Sequence, residues 1–435
     1  MWHSNNAAEQ EREYYQMKLL HVIGSLDPLT GGPCQVIRNI VPELESLGVT
    51  NEIVCLDSPK APFIGKDLFK LYCFGPGKTS WCYSKTLLSW FSINVFRYDC
   101  IIIHGLWLYH SYAVSRAVQQ LKNKKIAGGG RVPKVYIMPH GMLDPYFQRA
   151  PERKLKALRN VFYWALIESK VVNEADGLLF TCQEELHLAR ETFKPYKPKQ
   201  EISVGLGITA PPPYTLQMKR AFQEECPTLE GQPYFLFLSR IHRKKGLDLL
   251  LKAYKNVVGA LPEVQPVFLD AGGNSITPNQ QAITSFPKLV IAGPGEETAF
   301  GQEVRELVAS SKVLQSAVIF TGMLSGDAKW GAFYGCEAFV LPSHQENFGI
   351  AVVEALACKK PVLITKQVNI WREIMKSGGA LVVDDTPEEV YKLLKTWLDL
   401  SSDEKIILGQ GARRAYESFF SINQFARRLV KAIAA

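Results

Sequence analysis

The sequence predicts an α/β protein of two units, each with a parallel β-sheet covered by helices on both faces. Short apolar runs alternate with amphipathic stretches along nearly the whole chain, a pattern typical of such sheets. The stretch GITAPPPY at 207–214 interrupts the alternation, because three consecutive prolines exclude a helix interior or a central strand. The length of 435 residues also favours more than one core.

Composition places the chain among folded proteins with a modest positive charge. Hydrophobic residues make up 47% and charged residues 21%, which argues against global disorder. The net charge of +8 suits an anionic substrate or a membrane surface but is too small to indicate nucleic acid. The nine scattered cysteines form no CxxC pair, so we expect neither a disulfide framework nor a zinc site. This use of cysteine favours a protein of the reducing cytosol. No apolar run reaches the length of a transmembrane helix.

The first unit is predicted at 17–210, after a polar extension at 1–16 that has no apolar core and is not a signal peptide. Its first strand is KLLHVIG at 18–24, and apolar residues at helical spacing predict a helix over 34–47. The same reasoning predicts further strands at 52–56, 100–103, 134–138 and 177–181, and further helices at 155–168 and 184–192.

The alternation restarts after the prolines, which predicts a second unit at 211–410. Strands are expected at 235–238, 289–292, 318–321, 338–341 and 361–364, and helices at 247–258 and 350–357. The polar stretch 270–287 is expected to be an inserted surface loop. Residues 411–435 are expected to end the chain in an amphipathic helix that carries Phe425 and Leu429 on its apolar face.

The most informative segment is 338–364, AFVLPSHQENFGIAVVEALACKKPVLI. Glu346 follows a predicted strand, and Glu354 lies on the next helix, about 12 Å further along a helix axis. The ribose and the hexose of a nucleotide-sugar are separated by a comparable distance. The amides at 348–350 would face the pyrophosphate from a helix N-terminus. An ordinary helix with a surface glutamate is the alternative.

A second segment, SRIHRKKG at 239–246, puts Arg240 and Lys245 after a strand and before a helix. Two cations at the carboxyl end of a parallel strand would hold a diphosphate. A solvated basic loop is the simpler explanation, and it is the one we expect for Arg243 and Lys244.

Two further features lie at predicted strand ends in the first unit. The glycine-rich turn GSLDPLTGGP at 24–33 lacks the GxGxxG dinucleotide fingerprint, although Gly31 and Gly32 would let a phosphate or sugar approach the backbone. His104 and His140 each end a strand and precede a glycine. Because the carboxyl ends of parallel strands meet at one edge, both histidines are candidates for ligand contact.

Taken together, these motifs resemble glycosyltransferase family 4. GGP at 31–33, HG at 140–141, SRIHRKKG at 239–246, AGPG at 292–295 and TGML at 321–324 occur in that family's order. Glu346 and Glu354 look like its E-x7-E motif. The resemblance covers 17–435, and HGLW at 104–107 is similar to bacterial polysaccharide-assembly members.

The resemblance implies a GT-B fold, with two Rossmann-like domains and a deep interdomain cleft. The domain at 17–210 would bind the acceptor, the domain at 211–410 the nucleotide-sugar, and the helix at 411–435 would pack back on the first domain. The family transfers a sugar with retention at the anomeric carbon. It needs no metal and no cofactor, since the UDP-sugar is a co-substrate.

The resemblance also assigns roles to residues of this sequence. Catalysis would rest on His140, Glu346, Arg240 and Lys245, and the acceptor would contact His104, Trp107 and His140. The donor site would comprise Gly31, Gly32, Arg240, Lys245, Met323, Leu324, Glu346, Asn347, Phe348, Gly349, Ile350 and Glu354.

The expected activity is hexosyl transfer, with glucose from UDP-glucose as first choice, to a saccharide or lipid-linked acceptor in exopolysaccharide or cell-envelope glycan synthesis. A nucleotide-sugar 2-epimerase of the same fold and a non-catalytic nucleotide-sugar-binding protein are the alternatives. We expect a cytoplasmic protein with no nucleic-acid partner. Five cations of the first unit form either a solvated helix face or a surface for reversible contact with an anionic membrane, at the inner face of the plasma membrane: Arg149, Arg153, Lys154, Lys156 and Arg159.

Overall fold

The computed structural model describes residues 15–125, 131–150, 153–260 and 286–435. These residues form two compact units, the first comprising the chain up to Thr209 together with Ser421–Ala435, and the second Ala210–Phe420. Except for Tyr15 and Gln16, the predicted extension at 1–16 lies outside the described residues. The same holds for the predicted loop at 270–287, except for residues 286 and 287.

The described part of the first unit contains one parallel sheet of seven strands in the order β3-β2-β1-β4-β5-β6-β7. Central positions such as Ile101, Ile102 and Ile103 are completely buried, as expected for a sheet covered on both faces. The strands are β1 (Met17–Ile23), β2 (Val49–Cys55), β3 (Lys70–Cys73), β4 (Cys100–His104), β5 (Lys134–Met138), β6 (Gly177–Phe180) and β7 (Glu201–Ser203).

The described part of the second unit contains a parallel sheet of six strands in the order β10-β9-β8-β11-β12-β13. Renumbered within the unit, this is the 3-2-1-4-5-6 order of a dinucleotide-binding Rossmann sheet. The strands are β8 (Tyr234–Leu238), β9 (Lys288–Ala292), β10 (Val318–Gly322), β11 (Ala338–Leu341), β12 (Val362–Thr365) and β13 (Ala380–Val383).

Helices cover the faces of both sheets, and most bury one apolar stripe, as α1 does with Val36, Ile37 and Val41. The helices of the first unit before the boundary are α1 (Gly32–Ser46), α2 (Leu87–Asn94), α3 (Tyr109–Lys125), α4 (Tyr146–Arg149), α5 (Lys154–Tyr163), α6 (Ser169–Glu174) and α7 (Gln183–Thr192). The helices that follow are α8 (Leu216–Glu225), α9 (Leu247–Gly259), α10 (Ala299–Ala309), α11 (Lys312–Ala317), α12 (Gly326–Gly335), α13 (Ile350–Ala357), α14 (Trp371–Lys376), α15 (Pro387–Asp399), α16 (Ser402–Ala415) and α17 (Ile422–Ala434).

The chain end at 411–435, expected as one helix, is divided between the units. Residues up to Phe420 stay in the second unit, where the backbone of Gly411 lies so close to Gly378 that a Cβ would come within 2.1 Å of the Gly378 carbonyl oxygen. Only α17 belongs to the first unit, in which it packs against α1. There the Arg428 side chain donates to the Val204 carbonyl at 2.8 Å.

The predicted fold class of two Rossmann-like α/β domains is confirmed. Three strands that the sequence did not indicate, β3, β7 and β13, all lie at sheet edges. The predicted helix at 155–168 ends its α-helical part at Tyr163 and continues through a π-helical turn, Trp164–Glu168, into α6. No described helix has both the length and the apolar composition to cross a membrane.

Candidate functional site

Each sheet has a point where the strand order reverses, between β1 and β4 in the first unit and between β8 and β11 in the second. Ligands of open parallel sheets bind outside the carboxyl ends of the strands at this switch point. In the second unit, the loop after β8 carries Arg240 and Lys245, and the loop after β11 carries Glu346. The fold therefore brings these two predicted segments together, although about 100 residues of sequence separate them.

An ion pair between Lys245 and Glu346 joins the two loops. The two side chains are only 12% and 18% exposed, so the pair is screened from most of the solvent. The loops also touch through backbone, since the His344 amide donates to the Lys244 carbonyl at 2.9 Å. At Gly246, with φ +65°, a Cβ would come within 1.9 Å of the Pro342 carbonyl oxygen, so only glycine allows this approach.

The backbone of Glu346 is held from its other side by the loop after β12. Its amide donates to the Gln367 carbonyl at 2.8 Å, and its carbonyl accepts from the Asn369 amide at 2.9 Å. These two bonds form a short parallel bridge with Val368. The position of the Glu346 carboxylate is therefore fixed from two directions, by backbone pairing and by Lys245.

Helix α13 begins directly after this loop and points its first amides toward the same sheet edge. Gly349 precedes it with φ +75° and ψ +70° and provides no side-chain cap. Uncapped amides at a helix N-terminus favour an anion. The Phe348 side chain is 5% exposed and packs edge-on against Phe420, so only its backbone is available to a ligand.

Glu354 is the one charged residue of α13, and it pairs with Lys329 of α12 at 2.6 Å. Burial raises the pKa of the Glu354 carboxyl, and the charge and hydrogen bond of Lys329 oppose that shift. Lys329 was not predicted, because no sequence motif marks it and only the fold brings α12 beside α13.

Two glycine motifs at strand ends differ in what they do. In AGPG, a Cβ on Gly293 would lie 2.1 Å from the Ser239 carbonyl oxygen, so packing against the basic loop explains this glycine. In TGML, a Cβ on Gly322 would meet nothing within 4 Å, and the side chain of Met323 is 73% exposed. Leu324 is buried. An exposed methionine at this edge can contact a flat ligand group.

Two arginines of the basic loop take no part in the ion pair between Lys245 and Glu346. Arg240 is exposed and has no ion-pair partner among the described residues. Arg243 pairs with Glu303 and is 64% exposed. Arg240 is therefore available to an anion, whereas Arg243 is engaged on the surface.

The switch point of the first unit carries a row of histidines. His21 of β1, His104 of β4 and His140 after β5 are hydrogen-bonded in sequence, with ring nitrogens 2.9 Å and 3.0 Å apart. The row ends at Asn51 of β2, whose Oδ1 lies 3.2 Å from Nε2 of His21. His21 and Asn51 were not predicted, because each stands in the middle of a buried strand where the sequence gives no functional signal.

Burial keeps these imidazoles neutral. It lowers the pKa of His21 and of His140 to about 4, and it lowers that of His104 well below its usual value. Both ring nitrogens of His104 are occupied by its neighbours, so in this structure it contacts His140 rather than a ligand.

Backbone strain marks the same edge of the first unit. Of the six non-glycine residues with positive φ in the described chain, four lie in its loops: Thr79, Cys82, Trp107 and His140. Such conformations cost about 1–3 kcal/mol each and cluster at functional sites. The Trp107 ring packs against Tyr163 and Phe193 within an aromatic cluster that also contains Trp81 and Tyr109.

The two predicted glycines of the first turn have different reasons to be glycine. Gly31 has φ +97° and ψ −146°, which only glycine adopts readily. Gly32 begins α1 with an ordinary φ, and a Cβ there would meet nothing within 4 Å. The space beside Gly32 is therefore open in this structure. As for metals, the described residues contain no group of three or more His, Cys, Asp or Glu side chains able to hold one.

Comparison with known proteins connects this geometry to a family. Residues 218–414 match the model of the family Glycosyl transferases group 1. The O-antigen chain mannosyltransferase C of Escherichia coli is 23% identical over 196 residues, which cover 44% of this chain. The matched part spans 43% of that relative, so the similarity concerns less than half of either protein.

Solved structures match over nearly the whole chain. A glycosyltransferase from Rickettsia africae ESF-5 superposes with a TM-score of 0.70 at 15% identity, covering 97% of this chain and 98% of that one. Anabaena Alr3699/HepE, solved in complex with UDP and glucose, gives a TM-score of 0.64 at 13% identity and covers 96% and 99%. At these identities the likeness concerns the fold. Residues 218–414 thus resemble the group 1 glycosyltransferases in sequence, and both Rossmann-like units have the folds found in GT-B glycosyltransferases.

Proposed function

We propose that this protein is a retaining hexosyltransferase that works without a metal or a cofactor. It would take a sugar, with glucose from UDP-glucose as first choice, from a nucleotide-sugar to a saccharide or lipid-linked acceptor. The pathway would be exopolysaccharide or cell-envelope glycan synthesis in the cytoplasm. One observation carries the proposal: two carboxylates, Glu346 and Glu354, flank the N-terminus of α13, and each is paired with a lysine.

The order of groups along this segment follows the order of groups in a nucleotide-sugar. Glu346 binds hydroxyls of the donor sugar, the first amides of α13 face the diphosphate, and Glu354 binds the ribose hydroxyls. Glu346 pairs with Lys245 and Glu354 pairs with Lys329, and carboxylate oxygens accept hydrogen bonds from sugar hydroxyls.

The chemistry that the proposal requires is stabilisation of a leaving group. As the bond between the anomeric carbon and the phosphate oxygen breaks, negative charge grows on the diphosphate, where Arg240, Lys245 and the α13 amides stabilise it. The acceptor oxygen forms the new bond on the face that the diphosphate leaves. Its proton passes to a phosphate oxygen.

Two of the similar proteins differ in the sugar that their names indicate. A protein of the same fold was solved with UDP and glucose, whereas a sequence relative is named a mannosyltransferase. A thermal-shift panel of UDP, GDP, the UDP-sugars, the GDP-sugars and NAD distinguishes these donors. A ligand present at 100 times its Kd stabilises the native state by about 2.7 kcal/mol, so a bound nucleotide raises the melting temperature. We expect stabilisation by UDP and UDP-glucose but not by GDP or NAD.

The test of the function is Glu346→Gln, which keeps the shape of the side chain and removes its charge. We expect sugar transfer to fall by at least about 100-fold with the fold intact. The matched control is Glu303→Gln, which breaks the pair with Arg243 on the same basic loop and should leave transfer unchanged. Full turnover in Glu346→Gln would refute the assignment. Conversion of the nucleotide-sugar without any acceptor would instead indicate the 2-epimerase.

The proposal includes contact with an anionic membrane through the first unit. Leu155, Leu158, Phe162 and Leu166 lie three or four residues apart along α5 and the following turn, and all are more than half exposed. Lys154, Lys156 and Arg159 are exposed beside them, and 153–166 contains no acidic residue. An exposed apolar stripe flanked by cations is typical of a helix that lies in a bilayer surface.

Flotation with vesicles tests this contact. We expect binding to phosphatidylglycerol-rich vesicles but not to neutral phosphatidylcholine vesicles, and loss of binding in Leu158→Ser/Phe162→Ser. Ile406→Ser/Ile407→Ser is the control, since these residues of α16 are similarly exposed but belong to the second unit. Equal binding by both double variants would contradict the assignment of this surface.

A further inference from the structure

We propose that Asn51 determines, through His21 and His104, which ring nitrogen of His140 carries the proton. His140 thereby presents Nδ1 permanently as a hydrogen-bond acceptor, and the group that meets it is a hydroxyl of the bound ligand. Asn51, His21 and His104 act as positioning residues for His140. The identification of that hydroxyl with the sugar acceptor rests on the proposed function; the proton positions do not.

The orientation of the Asn51 amide is the starting point. Asn51 is buried, and its Nδ2 donates to the carbonyl oxygen of Val49 at 2.9 Å. A carbonyl oxygen accepts but never donates, so the NH2 group must face Val49. The Oδ1 atom therefore faces His21, at 3.2 Å from Nε2.

From Asn51 the proton positions follow ring by ring. Nε2 of His21 must donate to Oδ1, and because a neutral imidazole has one N–H, its Nδ1 accepts. His104 then donates from Nε2 to that atom over 2.9 Å. Its own Nδ1 accepts from Nε2 of His140 over 3.0 Å. All three rings are thus protonated at Nε2.

The opposite set of protons is not compatible with the structure. It would place a lone pair of His21 against Oδ1 of Asn51, and turning the amide would place Oδ1 against the Val49 carbonyl. Either arrangement leaves two buried acceptors facing each other. A charged ring is also disfavoured, since burial lowers the pKa of all three imidazoles.

The outer end of the row is accessible and fixed in place. His140 is partly exposed, and its Nδ1 has no hydrogen-bond partner among the described residues. The backbone is strained at φ +53°, and the next amide, of Gly141, donates to Glu185 Oε1 at 2.5 Å. The other oxygen of Glu185 accepts from the amide of Thr181 at 2.7 Å.

These protons define what His140 can bind. A ring nitrogen that only accepts attracts a hydroxyl or an N–H group and repels a phosphate or a carboxylate. The row is also no route for proton export, because an amide oxygen at its inner end is a very weak base. The row keeps the His140 ring in one neutral tautomer. This tautomer can orient a hydroxyl but does not take up its proton.

The test is nuclear magnetic resonance of the full chain with ¹⁵N-labelled histidine, in which long-range ¹H–¹⁵N correlations distinguish the two neutral tautomers. At pH 7.5 without ligand we expect His21, His104 and His140 to be protonated at Nε2. In Asn51→Leu, which removes the amide with little change of size, we expect mixed tautomers at His140. Sugar transfer should fall by about tenfold, mainly in kcat.

Two further variants separate positioning from general damage. Asn51→Asp, with a protonated carboxyl that donates to the Val49 carbonyl as the amide does, keeps an acceptor toward His21 and should keep the Nε2–H tautomers. His110→Gln alters a buried histidine whose Nε2 is hydrogen-bonded to the backbone carbonyl of His104, and it should leave the row unchanged. A wild-type His140 protonated at Nδ1, or an Asn51→Leu protein with unchanged tautomers, would overturn the proposal. The expected tautomers in a protein that transfers no sugar would support the row and refute the proposed function instead.

Discussion

The two switch points have the same topology and opposite chemistry. In the first unit, the edge between β1 and β4 carries neutral, hydrogen-bonded imidazoles that end at His140. In the second unit, the edge between β8 and β11 carries Arg240 and two lysine–glutamate pairs. The strand order predicts a site in both units, and we propose that the side chains determine its ligand: uncharged hydroxyls in one and a charged diphosphate in the other.

The largest loss of sugar transfer is expected from removing the charge of Lys245 in the second unit. Lys245→Met takes away the charge nearest Glu346 and leaves that carboxylate, only 18% exposed, without its partner. We expect transfer to fall by about 100- to 1,000-fold, because in the proposed reaction Lys245 stabilises charge that develops on the leaving group. Steady-state kinetics measure this loss. Arg243→Met is the control on the same loop and should stay within twofold of wild type.

A smaller effect is expected at the ribose end of the same site. Burial raises the pKa of Glu354 and Lys329 opposes it, so donor binding should weaken as the pH falls through that pKa. Lys329→Met raises the pKa of Glu354 further and should move the midpoint of this loss to higher pH. Titrations of UDP from pH 5 to 8 measure the shift. An unchanged midpoint would show that Lys329 does not act on Glu354, and Lys252→Met is the surface control.

The last prediction concerns the free energy of unfolding rather than sugar transfer, and it should distinguish the two units. His21 and His140 have pKa values of about 4 in the folded state against 6.5 for an unperturbed histidine, so below pH 6.5 the unfolded chain binds more protons. The free energy of unfolding should therefore decrease as the pH falls from 6.5 toward 4, by about 1.4 kcal/mol per pH unit for each such histidine.

Hydrogen exchange measures this loss of stability separately for each strand. Corrected for intrinsic rates, protection of β1 and β4 should fall between pH 6.5 and 5, and protection of β8 and β11 should fall less. Equal losses in both sheets would contradict the difference between the two switch points.

The sequence predicted those strands whose burial requires a regular run of apolar residues. Central strands such as β5 and β11 read as continuous apolar runs, and their bounds match the prediction. The edge strands β3, β7 and β13 were missed because they are short and only partly buried, as in the EIS of β7. Their pairing partners, rather than their composition, make them strands.

The candidate site likewise contains residues that the sequence predicted and residues that it did not. Arg240, Lys245 and Glu346 were predicted because each stands in a local motif after a strand, and Glu354 because it lies eight residues after Glu346 on the helix of the same segment. Lys329, His21 and Asn51 were missed because their roles depend on contacts across 25 residues or more. A sequence can indicate which loops carry a site, whereas the partners that fix charge and tautomer appear only when the sheet is assembled.

One calorimetric titration tests most directly whether the two switch points bind different groups of the ligands. UDP-glucose and UDP are titrated calorimetrically into wild type, Glu346→Gln and His140→Ala. We predict that Glu346→Gln binds UDP normally but loses at least tenfold in affinity for UDP-glucose, because Glu346 contacts the sugar. His140→Ala should bind both ligands as wild type does. If wild type binds neither ligand, or if Glu346→Gln binds UDP-glucose as tightly as wild type does, the charged edge of the second unit is not a nucleotide-sugar site.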